Sequence, residues 1–183
     1  MRYFLQFLLF ISLLLMVGCA MPITPRYSVS AKNVVELRTL YGNSSNKIKI
    51  GEITTEIKEL SCRGTEIKIP DGLTIASFVK NGFSDELKLA GVYSDKSNIE
   101  LSGRIKNLDV ECNFGTGKWI TEIEISIGPK HTFIVKNVSF FEGTYSGIIV
   151  YNNAQQSLNP ALQDLFWLII KHPDFNAALN TPN

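Results

Sequence analysis

The chain has 183 residues, 18 basic and 17 acidic side chains, and a formal net charge of +1. No basic block is present to track a nucleic-acid backbone or an anionic lipid surface, so the charge pattern argues against both. The length and the 45% hydrophobic content suit one compact domain with a real core.

Residues 1–18 open with Arg2 and then run almost wholly apolar from Phe4 to Val17, interrupted by Gln6 and Ser12. A positive start, a short apolar core and a small residue before the cut are the parts of a secretion signal. The run is shorter than the roughly 18–20 apolar residues of a spanning helix, although an uncleaved short anchor is the alternative. It ends in Leu15-Met16-Val17-Gly18-Cys19. This ending resembles the lipobox of bacterial lipoproteins, which implies lipid on the Cys19 sulfur, cleavage before Cys19 and acylation of the new amine. In Gram-negative lipoproteins an Asp after that Cys favours inner-membrane retention. Ala20 stands there instead, which implies the periplasmic face of the outer membrane, with the inner membrane or the cell surface as alternatives. Removing 18 of the 183 residues leaves 165, and loses only Arg2 among charged residues, so 17 bases face 17 acids.

With Cys19 lipidated, Cys62 and Cys112 remain. A pair in an oxidising compartment reads as a disulfide, with two free buried thiols as the alternative. No C-x-x-C is present, and neither His131 nor His172 stands at ligand spacing from a cysteine, so no metal and no cofactor are expected.

Residues 19–29 carry Pro22 and Pro25 without apolar periodicity, and are expected to be a lipidated N-terminus and tether ahead of a single domain at 30–176. Ser30 is placed to cap a helix over residues 31–40, with Val34, Leu37 and Leu40 on one side. Residues 47–57 alternate as a strand, with Gly51 as a candidate bulge, and residues 66–69 form a shorter strand stopped by Pro70-Asp71-Gly72. The period then changes. Val79, Phe83, Leu87 and Ala90 mark an amphipathic helix over residues 74–90, with Asp85, Glu86 and Lys88 expected mostly on other faces and Gly91 as its C-terminal cap.

Three strands follow at 99–112, 120–127 and 132–141. The second has Ile123 and Ile125 inward, and the third is read with Phe133, Val135, Val138 and Phe140 along it. The turns at 113–117 and 128–130 are short, which makes the three an antiparallel meander. Residues 145–159 are harder to read, with helix favoured from about Ile149. Asn159-Pro160 marks either a kink or a fresh helix start, and the helix over 160–171 is apolar nearly all round. Pro173 should end it, leaving residues 177–183 as a tail. The expected class is α+β: an antiparallel sheet with helices packed on one face, preceded by the lipoprotein signal.

Several stretches then carry a family resemblance: 85–93 running into Leu101-Ser102-Gly103, Trp119, Pro160-Ala161-Leu162-Gln163-Asp164-Leu165, and His172-Pro173-Asp174-Phe175. Over about residues 48–175 the chain resembles proteobacterial envelope lipoproteins, and more loosely is similar to YajG-type lipoproteins and to auxiliary lipoproteins of ABC transport systems. The resemblance implies a small periplasmic α+β domain in an accessory role. It carries over no catalytic position.

No catalytic constellation stands out. His131 lies at a turn and His172 at a helix end, and Gly-x-Ser-x-Gly is absent. Gly115-Thr116-Gly117-Lys118 lacks the rest of a phosphate loop and is read as a hairpin turn. Glu122 and Glu124 share the solvated face of a strand. The aromatic residues are expected in the core, unless Trp167 or Phe114 lies exposed to meet a partner. The expected function is a lipid-anchored, non-catalytic accessory or binding component of an envelope transport or assembly complex. An envelope hydrolase with an unrecognised site and a structural surface lipoprotein are the alternatives. The expected protein-partner surface is on the last helix, around Phe166, Trp167 and Ile170, because a sheet buries only one side of so apolar a segment.

Overall fold

A computed structural model describes residues 24–180. Residues 1–23, and with them the signal peptide, the lipobox and Cys19, lie outside the described residues, as do residues 181–183. The elements are α1 (Ala31–Tyr41), β1 (Ile48–Thr55), β2 (Ser61–Cys62), β3 (Thr65–Glu66), a 3-10 turn (Pro70–Gly72), α2 (Ile75–Ala90), β4 (Ile99–Glu111), β5 (Thr116–Ile127), β6 (His131–Glu142), α3 (Gly147–Lys171) and α4 (Pro173–Asn180). The class is α+β. A four-stranded sheet in the order β1-β4-β5-β6 carries the helices on one face. β4, β5 and β6 form the expected antiparallel meander. The sheet as a whole is mixed, because β1 pairs with β4 in parallel. The chain between them returns through α2, and a helical crossover brings the second strand back in the direction of the first.

Local chemistry sets the boundaries. Ser30 Oγ accepts from Asn33 N at the start of α1, and Thr74 Oγ1 accepts from Ser77 N at the start of α2. Gly91 closes α2 in the left-handed region, its N–H donating to Leu87 O and Lys88 O. The bulge at Gly51 is present: β1 advances three residues from Ile50 to Ile53 while β4 advances two. A second bulge falls between Ile105 and Asn107 on β4. It moves the inward set from Leu101 and Ile105 to Leu108 and Val110, which accounts for the imperfect alternation of this strand.

Three expectations are corrected, and the alternative left open at Asn159-Pro160 is resolved. The second strand shrinks to Thr65–Glu66, paired with Ser61–Cys62 in a hairpin whose central residues, Arg63 and Gly64, both take positive φ. β6 keeps unbroken register with β5, so Val138 and Phe140 stay on the outer face with Ile134, and Asn137 and Ser139 face α3. α3 is one helix through Pro160. The tail expected from residue 177 is folded as far as Asn180: Pro173 occupies the first position of α4, which runs on through residues 177–180, with Phe175, Ala178 and Leu179 buried.

Candidate functional site

The segment ahead of α1 does not hang free as a tether. It lies along α3, held by side chains that recur every four residues. Gln155 Nε2 donates to Thr24 Oγ1 at 3.3 Å, Asn159 Nδ2 to Arg26 O at 2.7 Å, and Gln163 Nε2 to Ser28 O at 2.7 Å. The match is geometric. Four residues of helix rise about 6 Å, and two residues of extended chain rise about 6.6 Å, so the two ladders stay in step for three rungs. Thr24, Gln155 and Asn159 are buried. At the middle rung Arg26 reaches out to Asp71 at 2.9 Å, an exposed ion pair. The domain therefore includes the described chain from Thr24 on, and does not begin at residue 30. Gln155 Oε1 and Asn159 Oδ1 are buried without a partner among the described residues, so each amide gives the segment a donor while its own acceptor goes unused.

Tyr27 locks this strap into the core. Its ring lies 5.6 Å from that of Phe166 and 6.3 Å from that of Phe78. Gly82 makes the space: a Cβ there would stand 2.9 Å from Tyr27 Cγ. A glycine inside a helix costs about 1 kcal/mol relative to Ala, so its presence is explained by the ring it admits. The Tyr27 hydroxyl donates to Glu86, which is fully buried. The same carboxylate accepts from Ser30 N at 3.0 Å and Asn33 Nδ2 at 2.8 Å, and Asn33 Nδ2 also donates to Gln163 O. Burial pushes the Glu86 carboxyl above its ordinary 4.5, and the three donors pull against that rise. Burial, then the neighbouring Glu86, pushes the Tyr27 phenol up, so it stays a donor.

At the other end of the ladder Tyr151 is the junction. Its hydroxyl accepts from Gln155 Nε2 at 3.2 Å and donates to Glu66 O at 2.9 Å, joining the strap to the β2–β3 hairpin. Beside that hairpin is an open groove of about 580 Å³, with Leu60, Ile67 and Ile75 on its floor and Lys58, Glu59 and Lys68 at its rim. The volume falls in the ordinary range for small-ligand or peptide sites.

The hairpin is tied down on its far side. Cys62 and Cys112 are disulfide-bonded, with Cα atoms 5.5 Å apart, as expected from the sequence. Arg63 donates to Cys112 O, Thr144 O and Tyr145 O, and its guanidinium lies 4.4 Å from the ring centre of Phe114. Phe114 in turn stacks on Tyr145 at 4.9 Å. Phe114 is one of the two aromatic residues whose exposure was in question, and it is 64% exposed.

The expected partner surface on α3 is not a surface. Phe166 and Ile170 are fully buried, Phe166 stacked on Phe83 at 4.8 Å. The non-sheet side of α3 is covered by α2, the packing against Val79–Ala90 that the sequence offered as the alternative to a partner surface, and also by α1 and the strap, which it did not offer. Trp167 is half-buried, with Lys32 Nζ 3.8 Å and Lys171 Nζ 5.5 Å from its ring. Trp119 is buried, its Nε1 donating to Ala154 O and Ser157 Oγ.

His131 and His172 both approach Asp174, at 3.9 Å and 3.6 Å, and His172 stacks on Phe133. His172 Nδ1 accepts from Asp174 N, a helix-end contact. Glu122 and Glu124 pair with Lys136 and Lys106 on the open face of the sheet. No cluster of three or more His, Cys, Asp or Glu side chains able to hold a metal occurs among the described residues, and none of their helices is long and apolar enough to cross a membrane.

The sequence reading missed Glu86, Tyr27, Gly82 and the Gln155-Asn159-Gln163 ladder. A signal for two of them was present. Glu86 stands seven residues after Val79 and four before Ala90, on the apolar stripe itself. The three amides recur at intervals of four on one helix face.

No protein-family model and no curated protein matches the chain. Among solved structures it is similar to a Xanthomonas campestris protein, XCC0632, described as DUF330. The identity is 11%, the TM-score 0.44, and the alignment covers 68% of this chain and 83% of that one. So slight a likeness bears on neither activity nor partners.

Proposed function

We propose that this protein is a lipoprotein anchored through Cys19 at the periplasmic face of the outer membrane, and that its folded domain is a non-catalytic accessory component of an envelope transport or assembly complex. The docked strap is the observation that carries the reading. Only four residues lie between Cys19 and Thr24, and from Thr24 onward the chain is fixed to α3 and α2. A domain held this close to its anchor is presented in a restricted orientation, which suits a part that meets its partners at the membrane. The disulfide fits an oxidising compartment. The groove beside the β2–β3 hairpin offers a binding surface of ordinary size. The likeness in pattern to YajG-type lipoproteins and to ABC-transport auxiliary lipoproteins points to the same class of role.

Two measurements test it together in intact envelopes. Cys19→Ser should abolish acyl labelling and leave unprocessed precursor; unchanged labelling defeats the anchor. A photo-crosslinking side chain at Lys68, on the groove rim, should give a discrete product that the same probe at Arg104, on the open sheet face, does not. An acylated protein with no product specific to Lys68 defeats the binding role assigned to the groove.

A further inference from the structure

One end of the molecule gathers exposed apolar side chains from segments distant in sequence. The last residue of β4, Glu111, pairs with Lys118, and the first residue of β5, Thr116, pairs with Glu142, the last of β6. Gly143 N donates to Gly115 O, and α3 begins at Gly147. The β4–β5 hairpin tip, the loop after β6 and the first turn of α3 are therefore one pole, and the disulfide and Arg63 lash the β2–β3 hairpin to it. On this pole Tyr145 is 85% exposed, Ile148 75% and Phe114 64%, with Ile149 and Phe140 exposed beside them. A cluster of aromatic and aliphatic side chains this open to water is unusual on a soluble surface.

We infer that this pole rests in the membrane that carries the lipid anchor, with Phe114, Tyr145 and Ile148 inserted at the headgroup level; the inference rests on lipidation at Cys19. Chain direction and length select the occupant. The strap runs parallel to α3, with Thr24 at Gln155 and Ser28 at Gln163, so going back from Thr24 the chain heads toward the first turn of α3. From Gln155 back to Gly147 is eight residues of helix, about 12 Å. The five residues from Thr24 back to Cys19 reach at most about 17 Å. The lipidated residue is thus within reach of the apolar pole, while the far end of α3, sixteen residues beyond Gln155 and about 24 Å away, is not.

The shape agrees. These side chains stand on a hairpin tip, a loop and a helix start, at the ends of elements and not along one face of a helix or sheet. Tyr145, a ring with one polar edge, is of the type that favours that level of a bilayer, and Phe114 and Ile148 add apolar surface beside it. Arg63 above the Phe114 ring places its charge where headgroup phosphates lie. The shallow insertion of such a patch adds apolar burial to an anchor that the acyl chains already provide.

The test uses the full lipidated protein in phosphatidylethanolamine and phosphatidylglycerol vesicles whose acyl chains carry bromine near the headgroup. Single variants Phe114→Trp, Tyr145→Trp and Ile148→Trp are compared with Leu89→Trp and Val35→Trp, which are exposed on α2 and α1. Native Trp119 and Trp167 supply the baseline. The three pole variants should be quenched several-fold more than the two controls and shifted to the blue. Equal weak quenching of all five in protein that floats with the vesicles overturns the insertion and leaves the anchor standing. A blue shift without bromine quenching means that a protein, a second copy included, covers the pole, and overturns it as well. Protein that does not float at all overturns the anchor and the insertion together.

Discussion

Two clamps hold peripheral chain onto this domain, and they work by different physics. At the pole, a covalent bond between Cys62 and Cys112 ties the β2–β3 hairpin to the end of β4. Along α3, residues 24–30 are held by hydrogen bonds to Gln155, Asn159, Gln163 and Glu86 and by the burial of one ring, Tyr27. The covalent clamp acts mainly by limiting the unfolded chain and is indifferent to pH in the neutral range. The polar clamp acts only in the folded state, depends on each partner being present, and contains a buried carboxyl that titrates. A hairpin that shapes one pole can be fixed once. A strap that would join the proposed anchor to the domain is held by contacts that side-chain changes, and pH, can loosen.

The largest expected effect lies on the covalent side. Replacing both cysteines by Ser reopens a loop of 50 residues and should cost about 4 kcal/mol of stability by loop entropy, read from denaturant unfolding. A loss below about 1 kcal/mol would mean that the denatured chain is already restrained there. Next is Glu86→Ala, which strands the Tyr27 hydroxyl, Ser30 N and part of Asn33's donor capacity; the expected cost is roughly 2–4 kcal/mol, with the strap loosened more than the sheet. Gly82→Ala is a test of sign. On helix propensity alone it should stabilise by about 1 kcal/mol. With the Tyr27 ring in the way it should destabilise instead, and Tyr27→Ala in the same chain should restore the ordinary helix gain.

The pH dependence is the smallest effect. The folded-state Glu86 carboxyl is raised above 4.5, so its contribution is fully present below that pH and is lost as pH rises through the raised value. Glu86→Gln does not titrate. The melting temperature of wild type minus that of Glu86→Gln should therefore fall as pH climbs from below 4.5. A difference that stays flat, or rises, would show that the donors outweigh the burial.

Much of this was legible in the chain because it follows from local rules. The caps at Ser30 and Gly91, the Gly51 bulge, the meander and the disulfide pair all depend on residue type and short spacing. What failed depended on contacts far apart in sequence. Val138 and Phe140 look like an inward pair by hydrophobicity, but unbroken pairing with β5 puts them outside. Phe166 and Ile170 look surplus to one sheet face; packing on Val79–Ala90 was a readable alternative to a partner surface, but the added cover from α1 and the strap was not. The strap itself has no apolar period, only Tyr27, and its helix partner contributes polar side chains. Hydrophobic pattern cannot reveal a docking held by amides. Glu86 was the readable exception, a carboxylate on an apolar stripe.

The docked strap is tested most directly by trypsin acting on the lipidated protein bound to vesicles. Arg26 is exposed and lies between the proposed anchor at Cys19 and α1, so one cut after it would free the rest of the domain from the membrane. With the strap seated, release should be slow, and should accelerate many-fold in Asn159→Ala, which removes the donor to Arg26 O, and further in Glu86→Ala. Wild-type protein released as fast as these variants, with the domain otherwise intact, would show residues 24–30 to be a free tether.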